Sequence, residues 1–239
     1  MDPTATSANP LLILIWGSSM VLASGLDQGG DPSAAIEWSA LRAQVDSSRY
    51  TRFRGVFDRL AATLLLLFAM PVLIAIAVAI RMDSGRPILF RQARVGRHGQ
   101  PFTIVKFRTM SPQAPVTSLK IANDDPYVTR SGRLLRRTGL DELPNLWNVV
   151  RGDMALIGPR PEQLGLLHLY EPWQHARHLV KPGITGWWQI HHRDTEPMHL
   201  HVDKDLFYVQ HQSFALDLKI SLATMQLMLP GLRRLWRRT

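Results

Sequence analysis

The longest apolar run in the chain, residues 60–80, holds 21 residues without a charged side chain, long enough for a helix that crosses a bilayer. Pro71 lies near its middle, where the missing N–H removes one helical hydrogen bond and bends the axis, so the run reads as a helix-break-helix. Arg49, Arg52, Arg54 and Arg59 precede the run, and Arg81, Arg86, Arg91, Arg94 and Arg97 follow it. Such residues favour the cytoplasmic side of a membrane. A hairpin that enters and leaves one leaflet satisfies both flanks. A kinked spanning helix leaves one cluster outside, and the pattern weighs the two readings nearly equally.

Beyond the run, residues 87–110 alternate in the manner of strands. Ile88-Leu89-Phe90 and Phe102-Thr103-Ile104-Val105 flank the turn Gly96-Arg97-His98-Gly99, which predicts a β-hairpin. Residues 111–123 carry no periodic pattern and read as a mobile loop. Leu140, Leu143, Trp147 and Val150 recur at helical spacing, and Thr138 followed by Asp141 forms a capping pattern, with Pro144 at a position that tolerates it. The expectation is a helix entered at Thr138, with Asp141 and Glu142 in its first turn. Residues 162–178 read as a helix ahead of Pro182-Gly183, and residues 216–229 as the last helix. Near the N-terminus, residues 11–23 form a short apolar patch with no lysine or arginine before it, unlike a cleaved export signal, and residues 25–33 read as a linker.

A chain of 239 residues, 46% of them hydrophobic, accommodates one cytoplasmic domain and a membrane element. The formal net charge of +9 asks for an anionic partner: nucleic acid, an acidic bilayer surface or a phosphorylated substrate. The apolar run favours the last two, and no nucleic-acid-binding motif is present, so no nucleic-acid partner is expected. The C-terminal Arg233-Arg234-Leu235-Trp236-Arg237-Arg238 suits a lipid-surface anchor or a solvated basic tail. With no cysteine, disulfides, thiolate metal sites and a cysteine nucleophile are excluded.

Asp141 and Glu142 are the candidate catalytic pair. Adjacent helical residues point about 100° apart, so they suit separate roles better than a shared proton. The plainer reading makes Asp141 a cap and Glu142 a complement to the helix dipole. Lys106 and Arg108 leave the second predicted strand together and could meet a phosphate, as could Arg133 with Arg136 or Arg137 on one helical face. Asp203-Lys204-Asp205 has the Asp-x-Asp form of many metal-dependent glycosyltransferases, though three residues carry little specificity. His191, His192, His199 and His201 form no helical His-x-x-x-His pair and read as a surface cluster. Neither a Walker loop nor a Gly-x-Gly-x-x-Gly turn is present.

Several of these pieces occur in a specific order: Phe90-Arg-Gln92-x-Arg94-Val-Gly96, Lys106-Phe-Arg108-Thr-Met, Leu140-Asp-Glu-Leu-Pro-Asn-Leu-Trp-Asn-Val, Gly152-Asp153-Met, Gly158-Pro-Arg-Pro161 and Lys181-Pro-Gly-Ile-Thr-Gly-Trp187. Across residues 50–229 the chain resembles the bacterial sugar transferases, small monotopic phosphoglycosyl transferases that initiate exopolysaccharide and other surface-glycan assembly. The resemblance implies a re-entrant helix broken at Pro71 and an active site on the cytoplasmic face of the bacterial inner membrane. It implies transfer of a sugar 1-phosphate from a UDP-sugar to undecaprenyl phosphate with release of UMP. Asp141 would be the nucleophile and a ligand of Mg2+, and Glu142 its partner. Lys106, Arg108, Arg133, Arg137, Arg160 and Arg193 would bind phosphate. His191-His192 and Trp188 depart from the family pattern, which puts the backbone setting of Arg193 and the shape of a nearby pocket in question.

The fold expected is α+β and mostly helical: an N-terminal extension at 1–49, partly disordered; a basic amphipathic and re-entrant membrane helix at 50–86; a cytoplasmic catalytic domain at 87–230 with a short β-hairpin at the membrane surface; and a basic tail at 231–239. Membrane lipids are expected partners, and a homodimer is compatible with the sequence. Two other classes stay open: a metal-dependent glycosyltransferase using Asp203 and Asp205 and releasing UDP, and a non-catalytic scaffold of a polysaccharide assembly.

Overall fold

The structure, a computed structural model, describes residues 32–114, 125–192 and 200–228. The expectations for residues 1–31, for most of the 111–123 loop, for Arg193 and for the basic tail lie outside the described residues. Helix α1 (Pro32–Ser47) leads into the long helix α2 (Arg49–Ser84). Strands β1 (Leu89–Val95) and β2 (Pro101–Phe107) form an antiparallel hairpin in the register Leu89↔Phe107 to Val95↔Pro101. Helix α3 (Arg130–Thr138), a 3-10 turn (Leu140–Asn145) and helix α4 (Leu146–Arg151) follow. Strands β3 (Ala155–Ile157) and β4 (Gly183–Thr185) pair in parallel, and helices α5 (Trp187–His192), α6 (Val202–His211) and α7 (Phe214–Met228) complete a mostly helical molecule.

The expected gap at Pro71 is not a gap: α2 is helical on both sides of the proline. One absent N–H removes one hydrogen bond, which a 36-residue helix absorbs without ending. Along α2 a single seam, Ala62, Leu66, Leu73, Ile76, Ala77 and Ile80, packs on the rest of the protein. The remaining apolar positions face outward, Phe68 being 82% exposed. Both ends of the helix are bolted down. Near its start, Arg54 donates to the Ile157 carbonyl and pairs with Asp217 at 2.9 Å. At its end, Arg108 Nη2 donates to the Ser84 carbonyl at 2.8 Å, while Asp83 accepts the Ser131 N–H at 2.8 Å.

The hairpin forms where its turn residues allow it, with His98 at φ 56° and Gly99 at φ 75°. It is held against the helices by Asn148, whose buried amide donates to Thr103 O at 2.7 Å and accepts from Val105 N at 3.2 Å. Thr138 does not cap a helix start. It is the last residue of α3, its hydroxyl donates back to the Leu134 carbonyl at 2.9 Å, and Gly139 in the left-handed region (φ 73°) ends the helix. The true N-cap of α3 is Thr129, which accepts the Gly132 N–H at 3.0 Å.

The predicted stripe is also altered. Leu140 and Leu143 pack inward, but Trp147 is 51% exposed, and Leu146 and Val149 are buried in its place. Three residues per turn through Asn145 and 3.6 afterwards rotate the inward face between the two halves. Residues 162–178 are not one helix but two 3-10 segments, Leu164–Leu169 and Pro172–Leu179, separated at Tyr170-Glu171 ahead of Pro172. Part of the N-terminal extension is ordered against the core: Val45 of α1 packs on Ala176, Leu179, Val180 and Val209.

Candidate active site

The 3-10 turn places Asp141 and Glu142 between two apolar anchors. Leu140 and Leu143 pack against the Ile76–Ile80 portion of α2, so the turn between them presents its carboxylates away from that contact. Glu142 Oε1 accepts from Lys106 Nζ at 2.8 Å and from Arg160 Nη1 at 3.1 Å. Strand β2 delivers Lys106, whose side chain is 13% exposed, as is that of Glu142. Burial lowers the proton affinity of the Lys106 ammonium, opposed by the pull of Glu142. Glu142 raises that of Arg160 against the effect of burial. Asp141 adds its field to Lys106, Arg160 and Arg136.

Arg160 owes its place to a tight backbone crossing. Gly158 N donates to Thr185 O at 2.8 Å, and Gly183 N to Pro159 O at 2.9 Å. A Cβ on Gly183 would fall 2.1 Å from Gly158 N, and one on Gly186 2.1 Å from Gly158 O. The Gly-Pro-Arg-Pro turn and the Lys-Pro-Gly-Ile-Thr-Gly strand therefore need each other's glycines. Behind the turn lies a buried network. Arg177 Nη2 donates to Arg160 O at 2.7 Å, Arg177 pairs with Asp205 Oδ2 at 2.6 Å, and Tyr170 OH donates to Glu162 Oε2 at 2.7 Å.

Of the sequence-derived candidates, Lys106, Glu142 and Arg160 converge, with Asp141 adjacent in the chain. Arg108 is turned toward α2, where Nη2 holds the Ser84 hydroxyl at 2.7 Å as well as the Ser84 and Gly85 carbonyls. Arg133 donates to Val128 O at 3.1 Å and lines a separate open depression with Asp83, Ser84 and Thr129. Arg137 is exposed. Arg136, the alternative to Arg137 beside Arg133, and Arg94, which is not among the expected phosphate ligands, lie near the pair. Arg136 donates to Thr109 Oγ1 at 2.9 Å and feels Asp141, while Arg94 shares a narrow cleft with Lys106, Glu142 and Arg160. The signal for Arg94 lies in the sequence, within the Phe-Arg-Gln-x-Arg run.

The Asp-x-Asp reading fails on burial. Asp205 is wholly buried on Arg177, while Asp203 is exposed and pairs with Lys204 at 3.1 Å, so the two carboxylates cannot converge on one cation. Among the described residues no three acidic or imidazole groups gather as a metal cage. Asp141 alone still suits Mg2+, which is commonly held by one or two carboxylates together with substrate phosphates and water.

The family model described as bacterial sugar transferase matches residues 49–231. The chain is 41% identical to the uncharacterized sugar transferase EpsL of Bacillus subtilis over 173 residues, 72% of this chain and 85% of that protein. It is 36% identical over 198 residues to an Aeromonas hydrophila UDP-N-acetylgalactosamine-undecaprenyl-phosphate N-acetylgalactosaminephosphotransferase, covering 80% of this chain and 47% of that one. With the Escherichia coli UDP-glucose:undecaprenyl-phosphate glucose-1-phosphate transferase, identity is 42% over 176 residues, 70% of this chain and 38% of the relative. The chain thus spans less than half the length of the latter two.

Proposed function

The chain belongs to the bacterial sugar transferase family, and from that premise we propose that it moves a sugar 1-phosphate from a UDP-sugar to undecaprenyl phosphate and releases UMP. The observation that carries this reading is the carboxylate pair at Asp141 and Glu142, set among Lys106, Arg136 and Arg160 on a turn packed against an exposed apolar helix. In the first step an Asp141 carboxylate oxygen bonds to the sugar-bearing phosphorus, and the bond from that phosphorus to the bridging oxygen breaks, its electron pair leaving with UMP. In the second, a phosphate oxygen of the lipid attacks the same phosphorus and frees Asp141. Covalent catalysis by a carboxylate splits one displacement between two large substrates into two steps.

Glu142 holds Lys106 and Arg160 at a fixed separation and assists the incoming lipid phosphate. Arg160 pairs with phosphate oxygens through its planar fork, with Arg137 and Arg193 as outlying contributors. Asp141 would hold Mg2+, which when bound would neutralise the donor diphosphate and improve UMP as a leaving group. The sugar is a hexose and the product feeds exopolysaccharide or another surface glycan; the names of the Aeromonas and Escherichia relatives, which act on N-acetylgalactosamine and glucose donors, support a hexose. A re-entrant α2, helical through Pro71, keeps the domain on the cytoplasmic face of the inner membrane, and the ties of both helix ends to one domain support that topology. Assembly as a homodimer belongs to the same reading.

The test is UMP release by the full chain in nanodiscs, given UDP-sugars, undecaprenyl phosphate and Mg2+. Release with one donor, lost in Asp141→Asn, is the expected result. Release of UDP instead, or full turnover by Asp141→Asn, overturns the mechanism.

A further inference from the structure

The cleft beside Glu142 gathers three cations, Lys106, Arg160 and Arg94. Lys106 and Arg160 both bond the same oxygen, Glu142 Oε1. Arg94, a third cation lining the cleft, has no carboxylate within ion-pair distance among the described residues. Its guanidinium is held by neutral groups: Nη1 donates to Pro161 O at 3.2 Å and Nη2 to Gln92 Oε1 at 2.7 Å. Gln92 is itself fixed by Gln163 at 3.2 Å. Arg94 Nε is buried without any partner.

Buried donors are nearly always satisfied, and an ionised donor left alone costs more than a neutral one. A ligand oxygen in the cleft would complete it. Burial first, and then the like charge of Arg160, push the Arg94 guanidinium down to about 10, against the opposing pull of Glu162 and Glu142. Glu142 is the one carboxylate lining the cleft beside these three cations, with Asp141 and Glu162 acting on them from nearby.

We propose that Arg94 is a binding residue for the donor diphosphate, completing with Lys106 and Arg160 an anion site in which Glu142 is the resident counter-charge. The proposal rests on the transferase reading for the identity of the anion. The anion site itself stands on the cleft. Arg94 also grips the Pro161 carbonyl within the turn that carries Arg160, so its planar fork sets the spacing of the two guanidinium groups, which a lysine cannot reproduce.

The test titrates the full chain in nanodiscs with inorganic pyrophosphate by calorimetry, and measures KM and kcat for the UDP-sugar, in wild type, Arg94→Gln and Arg94→Lys. Expected are pyrophosphate binding weakened about tenfold or more in Arg94→Gln and by less in Arg94→Lys, a KM raised more than kcat falls, and unfolding midpoints close to wild type. Pyrophosphate binding unchanged in Arg94→Gln overturns the proposal. So does equal loss in both variants together with a lowered midpoint, which marks a structural role. If wild type turns over no UDP-sugar yet binds pyrophosphate through Arg94, the transferase reading falls while the anion site stands.

Discussion

Replacing Asp205 with asparagine separates a structural carboxylate from a metal ligand. Both side chains of the Arg177–Asp205 pair are 1% exposed, and Asp205 Oδ2 takes bonds from Arg177 Nε at 2.9 Å and Nη2 at 2.6 Å. Asp205→Asn removes the charge while keeping the shape, leaving a buried guanidinium without its counter-ion. Breaking a buried pair in this way costs about 3–5 kcal/mol. For a chain of this size each kcal/mol moves the unfolding midpoint by roughly 2–4 °C, so the expected loss is about 6–20 °C. Because Arg177 also holds the Arg160 carbonyl, turnover should fall at temperatures where the variant is still folded. The double variant Arg177→Met with Asp205→Leu, which removes both charges, should recover a large part of the midpoint. Thermal unfolding followed by circular dichroism in nanodiscs reads both. An unchanged midpoint in Asp205→Asn, with turnover lost and restored by excess divalent cation, would refute the burial argument and return Asp205 to the role of metal ligand.

Gly183→Ala should abolish turnover and lower the midpoint, since its Cβ meets the Gly158 backbone, whereas Gly165→Ala, with open space around it, should leave both unchanged; activity and melting curves of the two variants check this. Phe68→Lys, at an 82% exposed position, would be nearly neutral in water but should shift the protein out of the membrane fraction, as carbonate extraction will show. Asp83 is held below the ordinary carboxylate value by the Ser131 N–H, so the stability it lends is present above pH 3.8 and is lost as pH falls through its lowered folded-state value. The midpoint difference between wild type and Asp83→Asn should accordingly be seen at pH 7 and vanish in acid. Asp217→Asn weakens the acceptor of Tyr50 OH at 2.5 Å, Tyr208 OH at 2.8 Å and Arg54 at 2.9 Å, and should increase proteolysis at the α1–α2 junction.

The apolar run and the hairpin were legible because their signals are local: 21 uncharged residues in a row, and a Gly-Arg-His-Gly turn between β-rich segments. The start of the carboxylate-bearing turn is not legible, because Thr138 followed by Asp141 fits a capping pattern. The distinguishing residue is Gly139, whose left-handed backbone ends α3 before the carboxylates begin. Trp147 was placed in the core by a uniform 3.6 period that the 3-10 turn interrupts. The site itself is assembled over distance. Lys106 meets Glu142 across 36 residues, Arg94 meets Pro161 across 67 and Arg177 meets Asp205 across 28, and no periodicity encodes such pairings. Motif order brings Lys106, Glu142 and Arg160 forward as candidates, yet Arg108 and Arg133 stand equal to them in the sequence, and only their partners, Ser84 and Val128, set them apart.

The apolar helix and the carboxylate turn are one mechanical unit. Leu143 packs into both apolar clusters along α2, beside Ala62, Leu146 and Val149 on one side and beside Ile76, Ile80, Phe107 and Leu135 on the other. Asp141 and Glu142 therefore sit at a fixed height over the helix, whatever the helix is immersed in. With Phe68 and its neighbours in lipid, that height becomes the depth of the site relative to the headgroups. A nucleotide sugar arrives from water and a polyprenyl phosphate from the bilayer, and neither crosses readily into the other's phase. A nucleophile fixed at the boundary can receive the phosphosugar from one and pass it to the other without moving. The seam on α2 is thus as much a part of the proposed chemistry as the charges above it, and a substitution such as Ile80→Ala, which leaves every charge in place but loosens the seam, should lower turnover with the lipid acceptor more than the first-step release of UMP.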